Sequence, residues 1–414
     1  MSITKTQIDF ANELQKYAEE QSERLMQSMR ASANTTFHDM WQTALKDFSG
    51  QVQYVAEVEA EQATMRPVAP PELEQATKAQ SMWLAEEEEA PADWARFSEV
   101  FGFAPPSGND RKGPVYEPAS FTPGLRSFIP AFVDGYFMPP EETEALWNAH
   151  IDGDVVWLHG LSGTGKSSLE EQFCAHIGQP FLRFNGREDI ESSALFGQLT
   201  VESGEHGGTV WKDGLLTEGV RHGARVLLDE ATLIPAGIMM GLQWLLEDNG
   251  KLMLTDKPAE AGDRLVIPDP RFRLTFADNT RGQGDDRGQF NGTGIINTAT
   301  LNRVGLTLEI FYLQPKHELQ VLQAQFGKKI HETVLKDIII VANSLRKAMR
   351  GDQISLAFSL RSIKNVLTKA YNYRTLPVDE ALRRGFAEGY ANLLPNDDER
   401  DAAFEIFNLT FSTY

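Results

Sequence analysis

Apolar positions along this chain follow three different spacings. In residues 1–62 they fall three and four apart, as Ala11, Leu14, Ala18 and Leu25 and then Trp41, Leu45, Phe48, Val52 and Val55. Each set marks one face of a helix, and Asn34-Thr35-Thr36 offers a start signal between them. A helical pair or a partner-binding helix is therefore expected at the amino terminus, and the stripes alone do not say which.

From about residue 128 the pattern changes to short continuous apolar runs. Asp154 to His159, Pro180 to Phe184, Arg225 to Leu228 and Phe272 to Phe276 each suit a strand buried on both faces. Between them Ser168 to Ile177 and Pro235 to about Glu247 read as helices. Two hairpins are expected as well, Gly197–Val201 with Thr209–Lys212 and Lys251–Leu254 with Arg264–Ile267. Past Tyr312 helical stripes return, in Lys316–Phe326, Thr333–Met349, Ser362–Tyr373, Asp379–Leu393 and Asp398–Phe411. Strands alternating with helices predict an α/β core with a parallel sheet between helices, followed by an all-helical region.

Between the two helical ends the composition shifts. From Glu59 to Glu99 there are ten acidic and three basic residues, and Pro105, Pro106, Pro114, Pro118 and Pro123 follow. Such a stretch reads as a linker or arm. The expected organisation is a helical extension over 1–62, an acidic Pro-rich arm over 63–127, an α/β core over 128–312 and helices over 313–414. Across all 414 residues the formal net charge is −20, which opposes broad nucleic-acid binding through phosphate contacts. Cys174 is the single cysteine, so disulfides and thiolate metal clusters do not organise the fold, and it is expected to pack as a small hydrophobe. No apolar run approaches the roughly 20 residues that span a bilayer. The amino terminus lacks the apolar centre of a signal peptide, so a cytoplasmic location is expected.

Chemistry enters at Gly160-Leu161-Ser162-Gly163-Thr164-Gly165-Lys166-Ser167, which fits the phosphate-binding loop pattern with a strand before it and a helix after it. Backbone N–H groups of such a loop wrap a di- or triphosphate, with Ser168 in the turn that follows. Lys166 is expected at the β/γ-phosphates, and Ser167 supplies a hydroxyl for Mg²⁺. About 60 residues on, Val226-Leu227-Leu228-Asp229-Glu230 is an apolar strand ending in two carboxylates. Asp229 can serve the Mg²⁺ shell and Glu230 can take a proton from the attacking water, so ATP hydrolysis is expected. Asn279, after the next strand, is placed at the same sheet edge. His159 and His206 are too isolated for a metal site, which leaves Mg²⁺ with nucleotide as the expected metal.

From about Phe128 to its carboxyl terminus the chain resembles AAA+ ATPases of the MoxR group, and within it the CobS-type ATPase subunit of aerobic cobaltochelatase. The likeness rests on both motifs, on Leu-Glu-Asp-Asn-Gly-Lys-Leu at 246–252, on Phe272-Arg273-Leu274 leading to Asn279-Thr280, and on the glycine-rich 282–294 with Ile295-Ile296-Asn297. It implies that Asn279 is the first sensor, that Arg303 is an arginine finger serving a neighbouring subunit, and that Arg361 is the second sensor at the start of a helical lid. It also implies that the hairpins face the pore or partner of a homo-oligomeric ring, a hexamer, whose protein partner carries a von Willebrand A-type domain. Asn302 stands where that group carries an acidic residue before the finger. Rival readings are a MoxR-type chaperone maturing an unrelated complex, a nucleic-acid translocase, and a scaffold that needs nucleotide binding without turnover.

Overall fold

The computed structural model describes residue 91 and residues 94–201, 208–280, 282 and 296–411. The expected helices of 1–62, the acidic run at 86–89, the tip of the first hairpin with His206, and most of the glycine-rich 281–294 lie outside the described residues.

In chain order, strand β1 (Trp94–Arg96), helix α1 (Phe97–Phe101) and strand β2 (Lys112–Pro114) come first, with β1 and β2 antiparallel. Helices α2 (Pro123–Arg126) and α3 (Pro140–Asp152) lead to β3 (Val156–His159), α4 (Lys166–Ile177), β4 (Phe181–Asn185) and α5 (Ser192–Phe196). The first hairpin is β5 (Gly197–Val201) with β6 (Thr209–Asp213), followed by α6 (Leu215–His222), β7 (Arg225–Asp229) and α7 (Ala236–Gly241). The second is β8 (Leu252–Met253) with β9 (Leu265–Val266), before β10 (Arg273–Asp278), α8 (Thr298–Leu301) and β11 (Leu306–Glu309). Five helices close the chain: α9 (Pro315–Phe326), α10 (Glu332–Arg350), α11 (Leu360–Asn372), α12 (Val378–Gly389) and α13 (Asp397–Phe411).

Strands β11-β3-β10-β7-β4 form one parallel sheet in that order. Every residue of β3 and β7 is buried, because helices cover both faces and leave no strand side for water. Cys174 is buried on α4, and burial pushes its thiol far above the ordinary value, as suits a packing residue. The parallel register sets Asn185 beside Asp229, Ala277 beside Asp229 and Asp278 beside His159. The carboxyl ends of the four consecutive strands β3, β10, β7 and β4 therefore meet at one edge, where open α/β sheets bind ligands.

Three expectations change. The arm was expected to reach residue 127, yet Phe97 and Phe101 are buried, with the Phe101 ring 5.7 Å from Trp147 and 5.4 Å from Phe173. Trp147 Nε1 donates to Arg111 O at 3.0 Å. Packing on the core thus begins near Trp94, because a few large aromatics outweigh the proline and acid content around them. The helix expected over 235–247 ends at Gly241, and Leu245 and Leu246 continue in tight turns with bonds three residues back. Gly237 and Gly241 lower its helix propensity, while Ile238, Met239, Leu242 and Leu246 still bury one face. Strand β11, which the sequence did not reveal, is a four-residue edge strand with little buried surface to mark it.

The carboxyl-terminal helices enclose a separate core around Leu335, Ile338, Leu345, Phe358, Phe386 and Phe407. Phe386 stacks on Phe407 with centroids 4.5 Å apart. Inside it lies an ion pair, Arg346 with Glu318 at 2.6 Å, whose side chains are 2% and 1% exposed.

Candidate active site

Strand β3 ends at His159 and the chain turns at once into Gly160, whose φ of 143° belongs to glycine. A Cβ there would collide with the carbonyl oxygen of Ile310, just after β11, so the loop fits closely into the sheet edge. Gly163 (φ 76°) and Gly165 (φ 101°) carry the backbone around to the first turn of α4, where Lys166, Ser167 and Ser168 sit. Gly163 also receives the lid, since a Cβ there would strike Ser359, the N-cap of α11. Tyr312 Oη donates to Ser162 O at 2.9 Å, a second contact on the loop from beyond β11.

Lys166 is buried, and its ammonium donates to Gly160 O at 2.7 Å, Leu161 O at 3.3 Å and Asn279 Oδ1 at 2.7 Å. Asn279 Nδ2 in turn donates to both carboxylate oxygens of Glu230, at 3.1 and 3.0 Å. A side-chain amide can accept from an ammonium and donate to a carboxylate at once, so Asn279 links the two charges without carrying one. Burial lowers the Lys166 ammonium below its ordinary value, opposed by the carboxylates of Glu230, Asp229 and Asp278. Burial also raises the Glu230 carboxyl, reinforced by Asp229 and opposed by the Asn279 bond and Lys166.

Asp229 ends β7 and is buried. Its Oδ2 accepts from Ser167 Oγ at 2.7 Å and forms an ion pair with Arg183 Nη2 at 2.5 Å, while Oδ1 accepts the Glu230 N–H at 3.1 Å. Glu230 lies in the left-handed region at φ 52° and ψ 47°, which costs a non-glycine residue roughly 1–2 kcal/mol. This bend takes the second carboxylate off the strand and towards Asn279. It is accommodated because Gly186, whose N–H donates to Asp229 O at 2.7 Å, has no side chain to meet the Glu230 carbonyl.

Lys166, Ser167, Asp229, Glu230 and Asn279 thus come together with the loop, while the two arginines do not join them. Arg303 donates to Ala299 O at 2.6 Å and pairs with Glu247 at 2.9 Å. Glu247 belongs to the segment before the second hairpin. Arg361 is exposed in the first turn of α11, with no hydrogen-bond partner among the described residues. Sequence reasoning passed over Arg183, Tyr312 and Ser359. Only Arg183 left a signal, as a charge inside an otherwise apolar strand.

A phosphate loop, an acidic strand end and a polar residue on the strand between them, all at the carboxyl edge of a parallel sheet, define a P-loop nucleotide hydrolase with a helical lid. Residues 155–289 match the family described as AAA domain (dynein-related subfamily). The chain is 29% identical to the aerobic cobaltochelatase subunit CobS of Sinorhizobium sp. over 271 residues, which cover 64% of this chain and 76% of that protein. It is 24% identical to protein NorQ of Paracoccus denitrificans over 66% of this chain and 94% of NorQ. With von Willebrand factor A domain-containing protein 8 of Mus musculus it shares 25% identity over 59% of its own length and 12% of that protein. Residues 155–289 thus carry an AAA domain, and the chain is similar to MoxR-type AAA+ ATPases. Among its described residues no helix is long and apolar enough to cross a membrane.

Proposed function

We propose that this ATPase works as a ring, with each site completed by Arg303 of a neighbouring copy, and that hydrolysis drives remodelling of a protein partner. The observation that carries the reading is the Lys166–Asn279–Glu230 chain of hydrogen bonds, which joins a loop ammonium to a strand-end carboxylate and, among the described residues, has no arginine in contact with it.

In this reading the loop N–H groups and Lys166 hold the phosphates of ATP, and Asn279 fixes the Glu230 carboxylate. Glu230 accepts a proton from water as the water oxygen bonds to the γ-phosphorus and the bond to the β,γ-bridging oxygen breaks. Ser167 Oγ and Asp229 Oδ2, hard oxygens held 2.7 Å apart by a hydrogen bond, are the groups that would hold a Mg²⁺ ion. When bound it neutralises charge on the β- and γ-oxygens.

Arg303 is the group we assign to the neighbour's γ-phosphate. Its bonds to Ala299 and Glu247 hold the guanidinium in place without involving its own loop. Arg361 is assigned to the nucleotide from the lid side, because α11 starts against Gly163. The similarity to a von Willebrand factor A domain-containing protein supports a partner of that type, and the likeness to CobS supports cobalt chelation as one setting for the work.

Steady-state hydrolysis against protein concentration, with mass determination in ATP, tests the shared site. Activity should rise cooperatively with assembly, and Arg303→Ala should lower it by about 10³–10⁵-fold while leaving nucleotide binding in place. Concentration-independent activity that survives Arg303→Ala would refute the ring mechanism.

A further inference from the structure

Asp229 has a partner that the hydrolytic scheme does not use. Arg183 lies on β4, the edge strand of the sheet, opposite Leu227 of β7. Its guanidinium contacts the same Oδ2 that accepts the Ser167 hydroxyl, at 2.5 Å. The Asp229 side chain is 6% exposed, whereas that of Arg183 is 47% exposed and open to solvent on one side.

Three carboxylates, Asp229, Glu230 and Asp278, act on Lys166 at this edge. A buried carboxylate without a counter-charge is costly, and the ordinary remedy is a bound cation or a paired side chain. Arg183 supplies that charge from a strand edge, on the atom that a divalent cation would take. A guanidinium and a metal ion on one carboxylate repel each other, so each weakens the other's hold.

We propose that Arg183 is a positioning residue that serves as a built-in counter-cation. It holds Asp229 towards Ser167 until a divalent metal arrives with nucleotide, and then yields its place. The competition sets how strongly nucleotide binding depends on the metal. This rests on the assignment of Ser167 and Asp229 as the metal-holding pair.

Release is inexpensive, since the half-exposed guanidinium returns to water without having to leave a buried pocket. The buried pairs elsewhere in this chain lack that freedom.

The test measures the affinity of a fluorescent ADP analogue in Mg²⁺ and in EDTA, for wild type, Arg183→Gln, Arg183→Met and Arg183→Lys, with circular dichroism to confirm folding. Without the guanidinium, metal-free ADP meets an uncompensated carboxylate and binds more weakly, while Mg²⁺ meets no competitor. The ratio of the EDTA to the Mg²⁺ dissociation constant should rise about tenfold in both neutral variants. Arg183→Lys, which keeps the charge, should stay within about threefold of wild type. A ratio unchanged within about twofold in the neutral variants, or moved as far by Arg183→Lys, would overturn the inference while leaving the metal site intact. A wild-type affinity indifferent to Mg²⁺ would overturn the metal-site assignment and this inference with it.

Discussion

Two sets of buried charges in this protein are held in opposite ways. In the lid, Arg346 meets Glu318 through two hydrogen bonds of 3.0 and 2.6 Å, donates to Phe358 O at 2.9 Å, and lies 4.3 Å over the Tyr312 ring. At the sheet edge, Lys166, Asn279 and Glu230 hold one another with neutral and charged groups interleaved. The first arrangement satisfies its members with each other and is closed. The second leaves a cation bonded to loop carbonyls and a carboxylate raised by burial, groups whose bonds can be exchanged for those of phosphate and water. A buried charge that serves structure is saturated by its neighbours, whereas one that serves chemistry keeps partners it can give up.

Substitutions at the two places should separate rate from stability. Glu230→Gln should lower the hydrolysis rate by roughly 10²–10⁴-fold, read in single-turnover assays, with nucleotide affinity and melting temperature retained. A comparable loss of stability would erase the contrast. Glu318→Gln should instead leave the Arg346 charge buried and unpaired and destabilise the protein by about 3–5 kcal/mol in denaturant titration. Replacing both partners, Arg346→Met with Glu318→Leu, should recover most of that loss, since an apolar pair of similar volume avoids desolvating two charges.

A smaller effect is expected from pH. The folded Glu230 carboxyl titrates above its ordinary value of 4.5, and its protonated form cannot accept a proton from water. Hydrolysis should therefore fall about tenfold per pH unit as pH drops through that raised value. The stability linkage has the opposite sense. Because the folded value exceeds the unfolded one, the stabilising contribution of this group is present below 4.5 and is lost as pH rises through the folded value. Glu230→Gln should remove both dependences. Least is expected of the exposed pair Arg384–Glu380, with side chains 52% and 44% exposed, where Arg384→Ala should shift the melting temperature by no more than about 2 °C.

The strands were legible because a central parallel strand must be apolar on both faces, and Val226 to Leu228 could hardly be anything else. The candidate loop could be picked out because a phosphate-binding pattern constrains backbone and residue type together, at Gly160, Gly165, Lys166 and Ser167. The packing of Phe97 and Phe101 was hidden, because their partners Trp147 and Phe173 lie 46 to 72 residues away and leave no local period. Arg183 was hidden for a related reason, as its role depends on which strand lies next to β4.

Sequence alone therefore determined the order of elements, the phosphate loop and the identity of the acid pair, each set by local spacing and backbone chemistry. Tertiary structure decided which charges meet: Lys166 with Asn279 across 113 residues, Ser167 with Asp229 across 62, and Arg183 on the oxygen that Ser167 also uses. Those contacts follow from the strand order β11-β3-β10-β7-β4, which the parallel register fixes and no local pattern encodes.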